Sequence, residues 1–304
     1  MKRFKPSTLM LMLIVLFTVS CKKDFYNQPN GPCLITHYEE TLYGYSVDIF
    51  YNSQGNPDSL SFSGFGNKLE YDNRGRLVKQ KFATGYIEFI YTNNTFLPAI
   101  SKYWRSDFST PPPSGLVAVD TFRYNILGQL IIQGEDNRLS PEYNNTRRYE
   151  YNSSGNVTNV TISAQNGGTV FATPVVLYQG TRYDNKYNVF GSNQWLKYIF
   201  YTTDLSDYVY AMHSVNNAAD WNWGFGGGYV ATVTAAITYN TQGFANFFNN
   251  HLIDTDGNEF DFTEQCTSTC DATTPGNLPP VAPRLSNKFK DLKNITHIPL
   301  STSR

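Results

Sequence analysis

The sequence predicts an all-β protein: a curved antiparallel meander of repeated β-hairpins, either an open sheet or a partly rolled barrel, with one or two short helices. Three observations carry this. Aromatic residues make up 15% of the 304-residue chain, with 22 Tyr and 21 Phe against only 16% charged residues, and aromatic side chains favour a half-buried pleated surface. A unit of an aromatic residue, Asn or Asp, two free positions and Gly recurs along the chain. Apolar and polar residues alternate just before it.

The unit is written at Tyr51-Asn52-Ser53-Gln54-Gly55, Tyr71-Asp72-Asn73-Arg74-Gly75, Tyr124-Asn125-Ile126-Leu127-Gly128, Tyr151-Asn152-Ser153-Ser154-Gly155 and Tyr239-Asn240-Thr241-Gln242-Gly243. Ile253-Asp254-Thr255-Asp256-Gly257 changes only the aromatic, and Tyr183-Asp184-Asn185-Lys186-Tyr187 loses the Gly. Asn or Asp accepts a hydrogen bond from its own backbone two residues on, and Gly takes the positive φ that closes a hairpin. Each copy is therefore expected to reverse the chain. Tyr91-Thr92-Asn93-Asn94 reads as a degenerate further turn.

Upstream of the turns, Val47, Ile49 and Tyr51, then Ile87, Phe89 and Tyr91, alternate with Asp48 and Glu88, although Phe50 and Ile90 break the rule. Period two with one apolar face describes antiparallel strands covering a core on one side. The stretch 193–217 has no hairpin signature, and Gln194–Tyr201 and Ser206–Ser214 are its two candidate helices. Ser109-Thr110-Pro111-Pro112-Pro113-Ser114-Gly115 reads as a loop, because consecutive prolines cannot donate to a ladder. Past Cys270 the chain turns Pro/Thr/Asn-rich and then basic.

At the N-terminus, Met1-Lys2-Arg3-Phe4-Lys5 precedes an apolar run, Leu9–Val19, too short to span a bilayer. It reads as a signal peptide. Thr18-Val19-Ser20-Cys21, followed by Lys22-Lys23-Asp24, resembles the lipobox of bacterial lipoproteins, in the Ser-Cys-Lys-Lys-Asp form common in Bacteroidota; Thr18 departs from the usual Leu. The resemblance implies cleavage before Cys21, acylation of Cys21 with fatty acid such as palmitate, and anchoring in the outer membrane on its periplasmic or cell-surface side. The bland alternative is a plain secretory signal with Cys21 incidental. The chain then divides into the signal (1–20), the lipidated Cys and tether (21–32), the β domain (33–270) and the linker with its basic tail (271–304).

Without Lys2, Arg3 and Lys5 the chain keeps 21 basic against 25 acidic residues, a charge of −4. That balance lacks the footprint of a nucleic-acid binder and argues against simple charge attraction to anionic lipid.

The hairpins resemble degenerate YD (RHS-type) repeats, and the whole resembles uncharacterised Bacteroidota lipoproteins built from them, over about Cys33 to Cys266. Tyr183-Asp184-Asn185-Lys186 through Asn188 and Ser214-Val215-Asn216-Asn217 also look like signatures of that family. The family lends no activity. In it a Cys near each end of the domain looks recurrent, so the resemblance makes Cys33 to Cys266 the first choice of disulfide, with Cys266 to Cys270 the local alternative and three free thiols the bland one.

No constellation announces catalysis or a cofactor. His37, His213, His251 and His297 stand at no metal-binding spacing; His213 has Asp207 and Ser214 nearby, but sequence neighbours are not a triad. Asp254, Asp256, Asn258, Asp261 and Glu264 look like a calcium loop, yet Gly257 is at the fourth position where an EF-hand needs Gly at its sixth, so a turn is favoured. The richest exposed-loop candidate is Asp220–Tyr229, where Trp221, Trp223, Phe225 and Tyr229 beside amides and glycines suit sugar stacking. Its bland reading is a loop folding its tryptophans over a sheet end.

The sequence thus points to a lipid-anchored envelope protein with a non-enzymatic binding or structural role. Its partners are expected to be the membrane, through the anchor, and a polysaccharide or another envelope protein. Glycan binding through the aromatic loop is one rival, and a hydrolase with a loop-borne site is another. Asp, Glu and His converging in a pocket would favour the enzyme; an aromatic shelf without them would favour the binder.

Overall fold

A computed structural model describes residues 33–270 apart from 63–64, 93, 106–114, 140, 142–143, 167–168, 171–173, 202–208 and 226–228. The signal, the Cys21 tether, the proline loop, Asp207 and the basic tail lie outside the described residues, as does His297.

Six copies of the repeated unit form one and the same turn. In the first, the Gly55 amide donates to the Asn52 carbonyl at 3.0 Å and the Asn52 amide to the Asn56 carbonyl at 2.9 Å. The Asn52 Oδ1 accepts from the amides of Gln54 and Asn56. Gly55, Gly75, Gly128, Gly155, Gly243 and Gly257 all have φ between 69° and 85°, where a Cβ would be strained. At each tyrosine the ladder slips by one residue, as between Glu70 and Tyr71, the bulge expected where a left-handed Gly follows a turn.

The chain begins with β1 (Ile35–Glu40), β2 (Tyr45–Tyr51), β3 (Pro57–Phe62), β4 (Phe65–Tyr71), β5 (Leu77–Phe82), β6 (Gly85–Tyr91), β7 (Pro98–Arg105), β8 (Gly115–Tyr124), β9 (Leu130–Asn137), β10 (Asn145–Tyr151) and β11 (Val157–Asn166), and four of the turns join β2 to β3, β4 to β5, β8 to β9 and β10 to β11. The two-residue β12 (Thr169–Val170) pairs with β11. Then come β13 (Val175–Tyr187), β14 (Asn216–Phe225), β15 (Tyr229–Tyr239), β16 (Ala245–Ile253) and β17 (Glu259–Ser268). Every pairing is antiparallel, and β1 bonds both β2 and β17. Leaving β12 aside, sixteen strands therefore close into a barrel, which resolves the open-or-rolled alternative.

Tyrosine explains its own recurrence. The hydroxyls of Tyr51, Tyr71 and Tyr91 each donate at 2.6 Å to the carbonyls of Ile35, Pro57 and Leu77. Tyr124 and Tyr151 reach Pro98 at 2.8 Å and Leu130 at 2.9 Å, and Tyr183 reaches Val157. Each acceptor is the first residue of an odd-numbered strand from β1 to β11. The phenols thus tie successive hairpins together around one end of the barrel, here termed the turn rim. The copy at Ile253 lies at the opposite rim, and its aromatic is replaced by an exposed Ile. The copy at Tyr183 is not a hairpin: Tyr187 stands where the others have Gly, and the chain runs on instead of reversing.

The segment after Tyr187 is a plug. Between β13 and β14 come a 3-10 turn (Val189–Ser192) and two helices, α1 (Leu196–Tyr201) and α2 (Val209–Met212), within the two predicted helical stretches. Trp195, Leu196, Ile199 and Phe200 are buried among Ile35, Ile49, Leu60, Leu69 and Leu77 from the wall. The rim tyrosines seat it, for Tyr71 and Tyr91 both set their rings against Trp195 at 6.3 Å.

The outward face of β4 to β7 carries a charged row. Glu70, Lys79, Glu88 and Lys102 stand opposite one another in register across β4 to β7, alternating in sign as favourable cross-strand neighbours do. A lipid-spanning barrel needs an outward apolar band and keeps its polar side chains inside. This face has the reverse polarity.

The disulfide joins Cys33 to Cys270, across 237 positions, which corrects the expected Cys33–Cys266 pair and its local alternative. Register is the reason. Ile35 pairs with Ser268 and Tyr38 with Cys266, so Cys33 meets Cys270 just past the ladder's end. Cys266 is buried on β17 and takes no part in the disulfide.

If the phenol ties hold the barrel, Tyr71→Phe should cost roughly 1–3 kcal/mol, because a half-buried carbonyl loses its donor. Tyr86, whose ring stacks on Trp104, is the control, and Tyr86→Phe should stay within about 0.5 kcal/mol. Urea unfolding of both variants checks this; equal losses would contradict the role given to the rim phenols.

Candidate functional site

The two segments that resemble family signatures meet at the neck of the plug. Asn188 at its entry donates from Nδ2 to the carbonyls of Ala211 at 2.8 Å and Ser214 at 3.3 Å and accepts from the Phe190 amide at 3.0 Å. At the exit, Asn217 accepts from the Val189 amide and donates from Nδ2 to Asp184. Tyr239 also donates to Asp184, at 2.6 Å. Asn156, from the turn before β11, exchanges two bonds with Asn216. Short amide side chains supply both donors and acceptors to the non-repetitive backbone of a buried crossing.

Between this neck and the turn rim lies a cavity of about 390 Å³. Leu97, Leu130, Tyr151, Met212 and Phe244 give it apolar walls, and Lys197 from α1 and His213 after α2 give it polar ones. Burial lowers the Lys197 ammonium to about 8. Burial, and then the nearby Lys197 charge, hold His213 well below its ordinary value, so its imidazole is neutral at pH 7. Its ring packs edge-on against Tyr149 at 5.3 Å and Tyr198 at 6.5 Å. The arrangement suits a small, mainly apolar ligand with a polar or anionic end: apolar walls, an amine and a neutral imidazole. Its lining also includes Ser214. Ser214 Oγ accepts the Val157 amide at 3.0 Å and belongs to the neck, while Asp207 is outside the described residues.

Lys197 and the cavity were missed in the sequence. One signal was present, a single charge in the otherwise apolar Leu196-Lys197-Tyr198-Ile199-Phe200-Tyr201. Nothing local said that this helix enters a barrel.

The aromatic platform is corrected. Trp221 and Trp223 share one face of β14, as their spacing of two requires, but that face is the inner one: they are 7% and 4% exposed. They pack with Tyr178, Val160 and Val233, and the Tyr43 ring meets Trp223 edge-on at 6.4 Å. Phe225 and Tyr229 pair at the strand ends; their side chains lie outside the description. Asp254 makes a turn, its Oδ1 accepting the amides of Asp256 and Asn258, which occupies the carboxylate that a calcium loop would use.

Two carboxyls inside the barrel are displaced from their ordinary range. Glu264 is pushed up to about 7 by burial, against the opposing hydrogen bonds from Asn250 at 2.7 Å and Tyr38 at 3.1 Å. Asp120, bonded to Ser101 at 2.8 Å, is also raised to about 7, by burial and then by Glu135.

No family model and no curated protein matches the chain. Among solved structures it is similar to a porin-like protein from Bacteroides uniformis, at 12% identity and a TM-score of 0.51, over 77% of this chain and 96% of that one. A porin-like protein from Bacteroides vulgatus follows at 8% identity and 0.48, over 80% and 100%. The Photorhabdus luminescens Tc holotoxin pore matches at 13% identity and 0.18, over 71% of this chain and 15% of that one. The first of these shares the fold.

Truncating either buried indole, Trp221→Ala or Trp223→Ala, should cost about 3–5 kcal/mol of stability, with no glycan-array signal in the wild type to lose. A Tm unchanged in both variants would restore an exposed platform.

Glu264 binds its proton more tightly folded than unfolded, so it adds stability below its ordinary 4.5 that is lost as pH rises through about 7. Glu264→Gln should therefore flatten the fall in stability between those values, read from urea midpoints across the range. An unchanged slope would remove Glu264 as its source.

Proposed function

We propose that the chain is a lipid-anchored, non-enzymatic binding protein of the bacterial cell envelope, tethered at Cys21 in the outer membrane, and that its ligand site is the rim cavity. The carrying observation is the cavity itself. Its volume of about 390 Å³ falls in the range of small-molecule sites, and the plug that walls it is bolted in place by the asparagine network. The signal segment and its Ser-Cys-Lys-Lys-Asp junction support the anchor. The fold shared with a porin-like protein from Bacteroides uniformis is in keeping with that location, and the charged outward row of β4 to β7 favours a barrel held beside the membrane over one inserted in it.

Two measurements test the reading. Metabolic labelling with a fatty-acid analogue should mark the wild-type chain and not Cys21→Ser; an unlabelled wild type defeats the anchor. For the cavity, anilinonaphthalene sulfonate serves as a small amphipathic anion. Leu97→Trp, which puts an indole into the cavity from a half-buried wall position, should weaken its binding about tenfold, or roughly 1.4 kcal/mol, at unchanged Tm. Binding unaffected by Leu97→Trp would move the ligand site elsewhere.

A further inference from the structure

We propose that the turn rim is the membrane-facing end of the molecule, and that the hairpin tip Ile126-Leu127 enters the interfacial layer of the bilayer to which the chain is anchored. This rests on the anchor reading above.

The tip departs from its own repeat. The two free positions of the turn are Ser53-Gln54, Asn73-Arg74, Ser153-Ser154, Thr241-Gln242 and Thr255-Asp256 in the other copies, all polar. Only here are they Ile and Leu. The turn does not require them, because Asn125 and Gly128 close it as elsewhere, the Gly128 amide donating to the Asn125 carbonyl at 2.8 Å. Nor does the core: Ile126 is 102% exposed and Leu127 59%. They are the one adjacent pair among the exposed large apolar residues described. Single exposed apolar side chains are ordinary, whereas a fully solvated Ile-Leu pair at a projecting turn costs solubility without a return inside the fold.

Chain connectivity selects the occupant. Cys33 sits at this same rim, fixed there by its bond to Cys270. Cys21 lies twelve positions ahead of Cys33, a span of at most about 40 Å when fully extended. A membrane holding Cys21 therefore lies within reach of the turn rim. The tether alone would also let the barrel turn over; the apolar tip breaks that symmetry, since an exposed Ile and Leu gain by leaving water for the acyl boundary. Attraction by charge does not substitute for it, because the chain after the signal carries −4. Docking is thus expected to persist at high salt. Gln129 and Leu130, immediately after the tip, line the cavity, so its mouth would open toward lipid.

The test uses the full-length acylated chain in phosphatidylcholine–phosphatidylglycerol vesicles doped with brominated phosphatidylcholine. A Trp is added at the tip, Ile126→Trp, or at the matching turn of the opposite rim, Thr255→Trp, and the added emission is compared with and without bromine. Quenching at 126 should exceed that at 255 by about twofold or more and survive 0.5 M salt, a concentration set by the experiment at which screening is nearly complete. Equal quenching at the two sites, or more at 255, overturns the proposal while the anchor stands. If the chain carries no acyl group, the anchor reading fails by itself. Cosedimentation of the Cys21→Ser chain with the same vesicles then decides the docking: Ile126→Ser with Leu127→Ser should cut partitioning about tenfold, and no change overturns it.

Discussion

The row of half-buried phenol-to-carbonyl hydrogen bonds at the turn rim is the constraint on which the rest of this structure depends. A two-stranded hairpin is marginal by itself, and irregularly spaced hairpins have no built-in reason to stack in register. Here the tyrosine that ends an even-numbered strand donates to the first carbonyl of the strand before it, from Tyr51 on Ile35 to Tyr151 on Leu130. Each tie sets the offset of one hairpin against the next, and the bulge at the tyrosine turns the side chain inward to make it. The same rings then form the seat for Trp195. One residue type thus sets register, curvature and the position of the plug.

Filling the lumen has a cost that the neck meets. A barrel of this many strands is wide enough to leave a channel when its interior is polar; here the interior is largely apolar and must be occupied. The segment that occupies it is largely non-repetitive, so its backbone groups need partners inside the protein. The side chains of Asn188, Asn156, Asn217 and Asp184 supply them. The cavity is what remains where the plug narrows into that neck, which is why an amine and an imidazole come to face apolar wall residues there.

Much of this was legible because it is local. A turn of four residues is specified by the residues in it, so the Asx and Gly positions of the six hairpins were readable, as were alternation, the two short helices and the turn at Asp254. The reading failed where a local pattern was put to other use. Tyr183-Asp184 looks like a turn but begins the plug, because Asp184 is spent on Asn217 and Tyr239. Trp221 and Trp223 look like a platform, and a spacing of two puts them on one face of a strand, but which face is inner depends on where β13 and β15 lie. The cysteine pairing went astray by four residues along one strand, since β17 extends to Ser268 and carries Cys270, not Cys266, to the ladder's end.

By itself, then, the sequence determined the class, the hairpins and their turn chemistry and the polar outward positions, all written within a few residues of one another. The tertiary structure alone decided that the meander closes, with β1 between β2 and β17, that Cys33 meets Cys270, that the stretch after β13 enters the lumen, and that Lys197 and His213 face one cavity with Leu97 and Phe244. Those outcomes join residues distant in sequence, up to the 237 positions between Cys33 and Cys270. They depend on the summed twist and offset of sixteen strands, which no single segment carries.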